Sequence, residues 1–133
     1  MNLLKGLGKE TGLTYIFIAH DMNMVHYLSD RVAVMYLGHI MEIGSTKEIY
    51  STPLHPYTRL LLESVLTVES REQSIIGKRA GADEISLSAG SVTGCPFADR
   101  CKRAEERCMN EKPALKEILG GHLAACHFAD QNR

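Results

Sequence analysis

LTYIFIAHD, residues Leu13 to Asp21, is the stretch from which the fold is read. Tyr15, Ile16, Phe17 and Ile18 are β-branched or aromatic, and no polar residue alternates with them. Such a run predicts a strand buried on both faces, as in a parallel sheet with helices above and below. The run ends in His20-Asp21, and ligands of open α/β sheets bind at the carboxyl ends of strands. His20 is therefore a candidate site residue at the mouth of a sheet. The plainer reading of the same residue is a histidine closing a loop.

Upstream, Leu3, Leu4 and Leu7 have helical spacing within Met1–Gly8, and Gly12 stands as a helix stop. One buried strand makes no sheet, so its neighbours are expected before Met1. Downstream, Asp21 is placed to cap a helix reaching Tyr27 or Leu28, with Met22, Val25 and Ser29 on one face and Met24 and Leu28 beside it. Arg31–Leu37 and Ile40–Ile43 flank Gly38-His39 and predict a β-hairpin. Ser45 and Glu48 have capping-box spacing and open a short helix to Tyr50. Pro53 and Pro56 interrupt the chain, and Tyr57–Leu66 predicts a further helix with Tyr57, Leu61 and Val65 on one stripe.

The 133 residues are 44% hydrophobic and 23% charged, which places them among globular chains. A net charge of −1 gives no basic field for nucleic acid. No apolar run has the length of a membrane span, and Met1 opens no signal-peptide pattern, so a cytoplasmic location is expected. Trp is absent and Phe occurs three times, so an aliphatic core is expected.

From Thr67 to Gly94 the sequence turns to Ser, Gly and charge, with a short strand expected near Glu84–Leu87; this segment reads as a linker. Beyond it, Ala98–Met109 is expected to be helical. Pro113 is expected to start a helix through Leu119, stopped by Gly120-Gly121.

All four cysteines lie in this last part, as Cys95-x5-Cys101-x6-Cys108-x17-Cys126. In a cytosolic chain the clustering points to metal or cluster ligation before disulfides. Structural zinc favours pairs two to four residues apart, and no such pair exists here. Wider spacing suits a larger object such as an iron–sulfur cluster. Zinc and free or redox-active thiols remain alternatives at this point, with His122 and His127 as spare nitrogen donors or plain loop residues. Arg100, Lys102, Arg103 and Arg107 interleave the cysteines and either offset thiolate charge or form a solvated face.

Four segments carry a resemblance. They are IFIAHD at Ile16–Asp21 with RVAVMYLGHIMEIG at Arg31–Gly44; Glu48-Ile49-Tyr50 leading into HPYTRLLL at His55–Leu62; GCPFADRC at Gly94–Cys101; and Cys108 through ACHF at Ala125–Phe128. Together they resemble the C-terminal part of ATP-binding subunits of the oligopeptide/dipeptide family of ABC transporters. The resemblance implies an α/β fold: the end of a RecA-like ABC ATPase domain (parallel strand, helix, hairpin, helices) over residues 1–66, a linker over 67–94, and a small four-Cys C-terminal module over 95–133. It implies that His20 matches the switch histidine, which contacts the γ-phosphate of ATP and the attacking water. A neutral imidazole offers the donor and acceptor this needs. It also implies that Cys95, Cys101, Cys108 and Cys126 are metal ligands, for a [4Fe-4S] cluster in some members, with zinc as the alternative.

The partners it implies are membrane permease subunits of a peptide importer and a second ATPase subunit, with the assembly at the cytoplasmic face of the membrane. The chain contains no G-x-x-x-x-G-K-[ST] loop, no strand ending in Asp-Glu and no Ser-Gly-Gly-type signature. ATP and Mg2+ are therefore expected in an intact subunit and not on these residues alone, and no ATP turnover is expected from them. A different class remains as the alternative: a stand-alone iron–sulfur or zinc module acting as a redox-responsive interaction domain. A third reading makes the tail a docking element with its Cys as small apolar residues.

Overall fold

The computed structural model describes residues 6–7, 10–71 and 93–132. Most of the expected helix Met1–Gly8 and the expected strand at Glu84–Leu87 lie outside the described residues.

Leu13–Ala19 is not a strand. These residues carry no regular secondary structure, and Ile16 and Ile18 are 95% and 100% exposed. A doubly buried strand needs hydrogen-bonded neighbours and helices on both faces, and no described strand pairs with this one. His20 accordingly lies in an exposed bend rather than at the carboxyl end of a parallel sheet.

Regular structure begins at α1, Met22–Leu28. The Asp21 carboxylate accepts the amides of Asn23 and Met24 at 2.9 and 3.2 Å, satisfying two donors that a helix start leaves open. Met22, Met24, Val25, Leu28 and Ser29 are the half-buried side, as their spacing predicted. The strands β1, Arg31–Tyr36, and β2, His39–Ser45, form the expected hairpin. Its turn has φ of 47° at Leu37 and 78° at Gly38, the two left-handed positions of a tight hairpin loop. The capping box of Ser45 and Glu48 then starts α2, Thr46–Ser51. The helix α3, Pro56–Arg71, begins with a proline at its first position, where no amide is needed.

The cysteine segment departs from its expected helices. Ala98–Arg100 is a single 3-10 turn and α4 is only Glu106–Asn110, with a turn between them. The expected helix from Pro113 to Leu119 is instead β3, Lys116–Leu119, paired to β4, His122–Ala124. Gly120 and Gly121 both have positive φ, 47° and 91°, and so make a tight hairpin turn rather than a helix stop.

β4 also pairs with β2, giving one antiparallel sheet in the order β1-β2-β4-β3. Val34, Glu42 and Ala124 stand in one row across it. Beside them Val32 and Val34 pack on Ile49, with Val25, Tyr50, Tyr57 and Leu61 around this cluster. A second cluster joins Leu54, Ala124 and Ala129 to Ile118 and Cys126. The buried set is largely aliphatic, with Phe97 the aromatic exception. Its ring lies 5.4 Å from Tyr36 and 5.3 Å from Tyr57, wedging the cysteine segment against the start of α3.

Candidate functional site

A buried carboxylate organises the centre of the fold. Glu42 on β2 is fully enclosed. Its oxygens accept the amides of Leu54 at 2.7 Å and His55 at 2.9 Å, and His122 Nε2 lies 2.7 Å from Oε1. A buried carboxylate persists only when such partners replace its lost water. The His122 ring reaches Glu42 by lying flat over Gly44, where a Cβ would stand 3.0 Å from His122 Cδ2. His122 is thus a structural partner of Glu42 and does not line the cysteine cavity.

His55 opens the HPYT stretch and is 1% exposed. Its Nδ1 accepts the Tyr57 amide at 3.0 Å, closing an open donor at the start of α3. Burial pushes its pKa down to about 4, against a smaller upward pull from the Glu42 carboxylate, so the ring is neutral near pH 7.

The four cysteines line a single cavity together with His55 and Phe97. Cys108 is buried in α4, and the other three are half-buried on the surrounding loops. Cys95 is fixed by its amide, which donates to Cys108 O at 2.7 Å. That close approach requires Gly94: a Cβ there would fall 2.2 Å from Cys108 O. Cys126 follows β4 and accepts the Phe128 amide at 3.4 Å. Burial pushes the Cys95 and Cys126 thiols up, and the neighbouring cysteines push them further, so both stay protonated thiols near pH 7.

Among the described residues, no three of His, Cys, Asp and Glu are arranged around a single metal ion. A mononuclear zinc site needs its sulfurs about 3.8 Å apart, given Zn–S bonds of roughly 2.3 Å. Of the four interleaved cations, Arg103 lines the cavity, whereas Arg107 pairs with Glu111 at 2.9 Å on the exposed side of α4. His127 also lines the cavity, with its Nε2 2.9 Å from Glu111 O.

His20 is remote from this arrangement in sequence and has no place in the cavity lining. It stands just before the Asp21 cap of α1. That helix is held by the Tyr50 hydroxyl, which donates to Met22 O, and by the His26 and Tyr50 rings at 4.5 Å. Glu42, Gly44 and Gly94 were not singled out from the sequence. The signals available were a lone acidic residue between apolar neighbours in IMEI and a glycine before the first cysteine.

The hairpin, the HPYT turn and the start of the cysteine segment, joined through the sheet and the Phe97 ring, are the part of the chain that a known family covers. Residues 41–108 match the family described as oligopeptide/dipeptide transporter, C-terminal region, and the chain belongs to that family. It is 44% identical over 132 residues to YkfD of Bacillus subtilis (strain 168), which covers 96% of this chain. It is 41% identical over 128 residues to the oligopeptide transport ATP-binding protein AppF of the same organism. The match to the oligopeptide transport ATP-binding protein OppF of Haemophilus influenzae is 40% over 126 residues. The chain spans 39% of the length of YkfD and AppF and 38% of OppF.

Proposed function

We propose that these residues form the C-terminal part of the ATP-binding subunit of an ABC importer for peptides or related small solutes. The observation that carries the reading is the 41% identity to AppF, which extends over 96% of the chain. On this reading residues 1–66 close a RecA-like ATPase domain, 67–94 link, and 95–133 form the four-Cys module. In the intact subunit, ATP and Mg2+ are bound by segments outside these residues. His20 contacts the γ-phosphate and orients the attacking water through the donor and acceptor of a neutral imidazole. The exposed apolar face of Leu13–Ile18 is where further strands of such a domain would pair. The partners are membrane permease subunits and a second ATPase subunit, at the cytoplasmic face of the membrane.

In the same reading Cys95, Cys101, Cys108 and Cys126 hold a [4Fe-4S] cluster, which supplies one-electron chemistry when bound. Support comes from the cavity that all four cysteines line.

A chimera tests the ATPase part. These 133 residues replace the matching C-terminal region of AppF, and ATP hydrolysis and peptide uptake are measured with its permease. The chimera is expected to be active, and His20→Ala is expected to lower turnover at least tenfold. A folded chimera in which His20→Ala hydrolyses ATP at the unsubstituted rate would overturn the assignment of His20.

A further inference from the structure

A cleft of about 410 Å3, apart from the cysteines, lies between the start of β2 and the segment that joins α4 to β3. Its size is that of a small-molecule site, and so is its lining of apolar side chains with few polar ones. Met41 is the buried floor, fixed where its carbonyl accepts the Ala125 amide at 2.8 Å. Pro113 and the exposed side chains of Ile40 and Leu115 are apolar walls.

The titratable side chains of the lining are Lys112 and His39. Lys112 Nζ lies 3.0 Å from His39 Nδ1, a contact between residues 73 positions apart. An ammonium only donates, so Nδ1 accepts and the ring is neutral in this contact, which leaves two ammonium protons unused. Among the described residues, no acidic side chain lines the cleft or pairs with Lys112. The adjacent Glu111 is turned to Arg107 at 2.9 Å. A positioned positive charge therefore borders an apolar cleft and lacks a carboxylate of its own there. A phosphate dianion calls for several convergent donors, such as an Arg fork or the amides of a helix start. One ammonium among apolar walls matches the single charge of a carboxylate.

We propose that this cleft binds a small apolar molecule carrying one carboxylate. The carboxylate sits on Lys112, and the apolar body lies on Ile40, Met41 and Leu115. His39 is the positioning residue that aims Lys112. The cleft has room for about a dozen non-hydrogen atoms, at the ~30 Å3 that a water takes in the liquid. The end of an acyl chain and the C-terminal residue of an apolar peptide both have this chemistry. The inference rests on neither the transporter nor the cluster reading.

The purified, 15N-labelled chain is titrated with octanoate and with N-acetyl-leucine, as wild type, Lys112→Met and His39→Ala. Shifts in the amide spectrum are followed. A ligand of this size is expected to bind with a Kd of about 1 mM. The shifts should centre on the amides of His39, Ile40, Lys112 and Leu115. Tighter binding of octanoate would assign the site to acyl chains, and tighter binding of N-acetyl-leucine to peptide ends. Lys112→Met keeps the apolar stem and removes the charge, so it should weaken the bound acid about tenfold. His39→Ala should cost less, because the ammonium remains but is no longer aimed.

Equal affinity in wild type and Lys112→Met would overturn the proposal. So would shifts centred on the exposed run Leu13–Ile18, or none with either acid at about 10 mM. Should the labelled chain self-associate, saturation transfer to the acid answers the same question. Transfer from wild type that falls in Lys112→Met supports the site, and equal transfer overturns it.

Discussion

Lowering the pH should unfasten the HPYT turn through His55. The group is a base with a pKa of about 4 in the fold and about 6.5 in the unfolded chain. Between those values the unfolded chain binds the extra proton, so stability falls as pH drops. The contribution is complete above about pH 6.5, declines through the interval and is flat below about pH 4. A gap of about 2.5 pH units corresponds to about 3 kcal/mol, a large fraction of the 5–15 kcal/mol typical of a domain. Burial is the larger cause and the Glu42 carboxylate works against it.

Carboxylates elsewhere also lose stability in acid, so the comparison must isolate His55. The substitution His55→Asn preserves an acceptor for the Tyr57 amide and removes the titration. Urea unfolding of both proteins, without metal and with reductant, is followed by circular dichroism from pH 7.5 to pH 4. The difference in unfolding free energy between them is expected to move by about 3 kcal/mol toward the variant as pH falls. Parallel pH profiles would refute a neutral, buried His55.

Three further substitutions test other joints of the structure. Gly94→Ala sets a Cβ 2.2 Å from Cys108 O, so it should break the Cys95–Cys108 backbone bond, cost about 1–3 kcal/mol and speed the reaction of Cys95 with a thiol reagent. Ile49→Ala empties the centre of the first cluster and should cost about 2–5 kcal/mol in urea unfolding. Asp21→Ala removes the cap of α1 and should cost about 1 kcal/mol, read as faster hydrogen exchange at the Val25 amide, which bonds Asp21 O at 3.1 Å.

The local elements were legible where a short-range device fixes them. Asp21 and the Ser45–Glu48 box act within a few residues and gave the expected structure, as did the β1–β2 hairpin, although its turn falls at Leu37-Gly38, one residue before the expected Gly38-His39. Leu13–Ala19 failed for the opposite reason: a doubly buried strand is specified by partners distant in sequence, and none is described here. Gly120-Gly121 was misread because paired glycines serve a helix end and a tight hairpin equally well. Only the pairing of β4 with β2 selects the hairpin, and that pairing joins residues about eighty positions apart. The cysteine cavity was legible as a set of residues but not as a geometry. The glycine that lets Cys95 approach α4, and the histidine that completes the lining, come from outside the four-Cys pattern.

The Glu42 carboxylate is where the hairpin, the HPYT turn and β4 meet. It fixes the two amides that open the HPYT turn and receives the His122 ring from β4, the strand that leads into Cys126. The hairpin thereby sets both His55 and the last cysteine from one buried atom pair. Glu42→Gln should separate this role from mere packing. An amide keeps the volume but offers one acceptor oxygen to two backbone donors, so one of them is left facing an N–H group. A loss of about 1–3 kcal/mol is expected, with Leu54 and His55 amides exchanging faster than those of β1. Uniform acceleration across the sheet would instead assign Glu42 to general stability. Selective acceleration at the turn would establish it as the joint between the hairpin and the cysteine cavity.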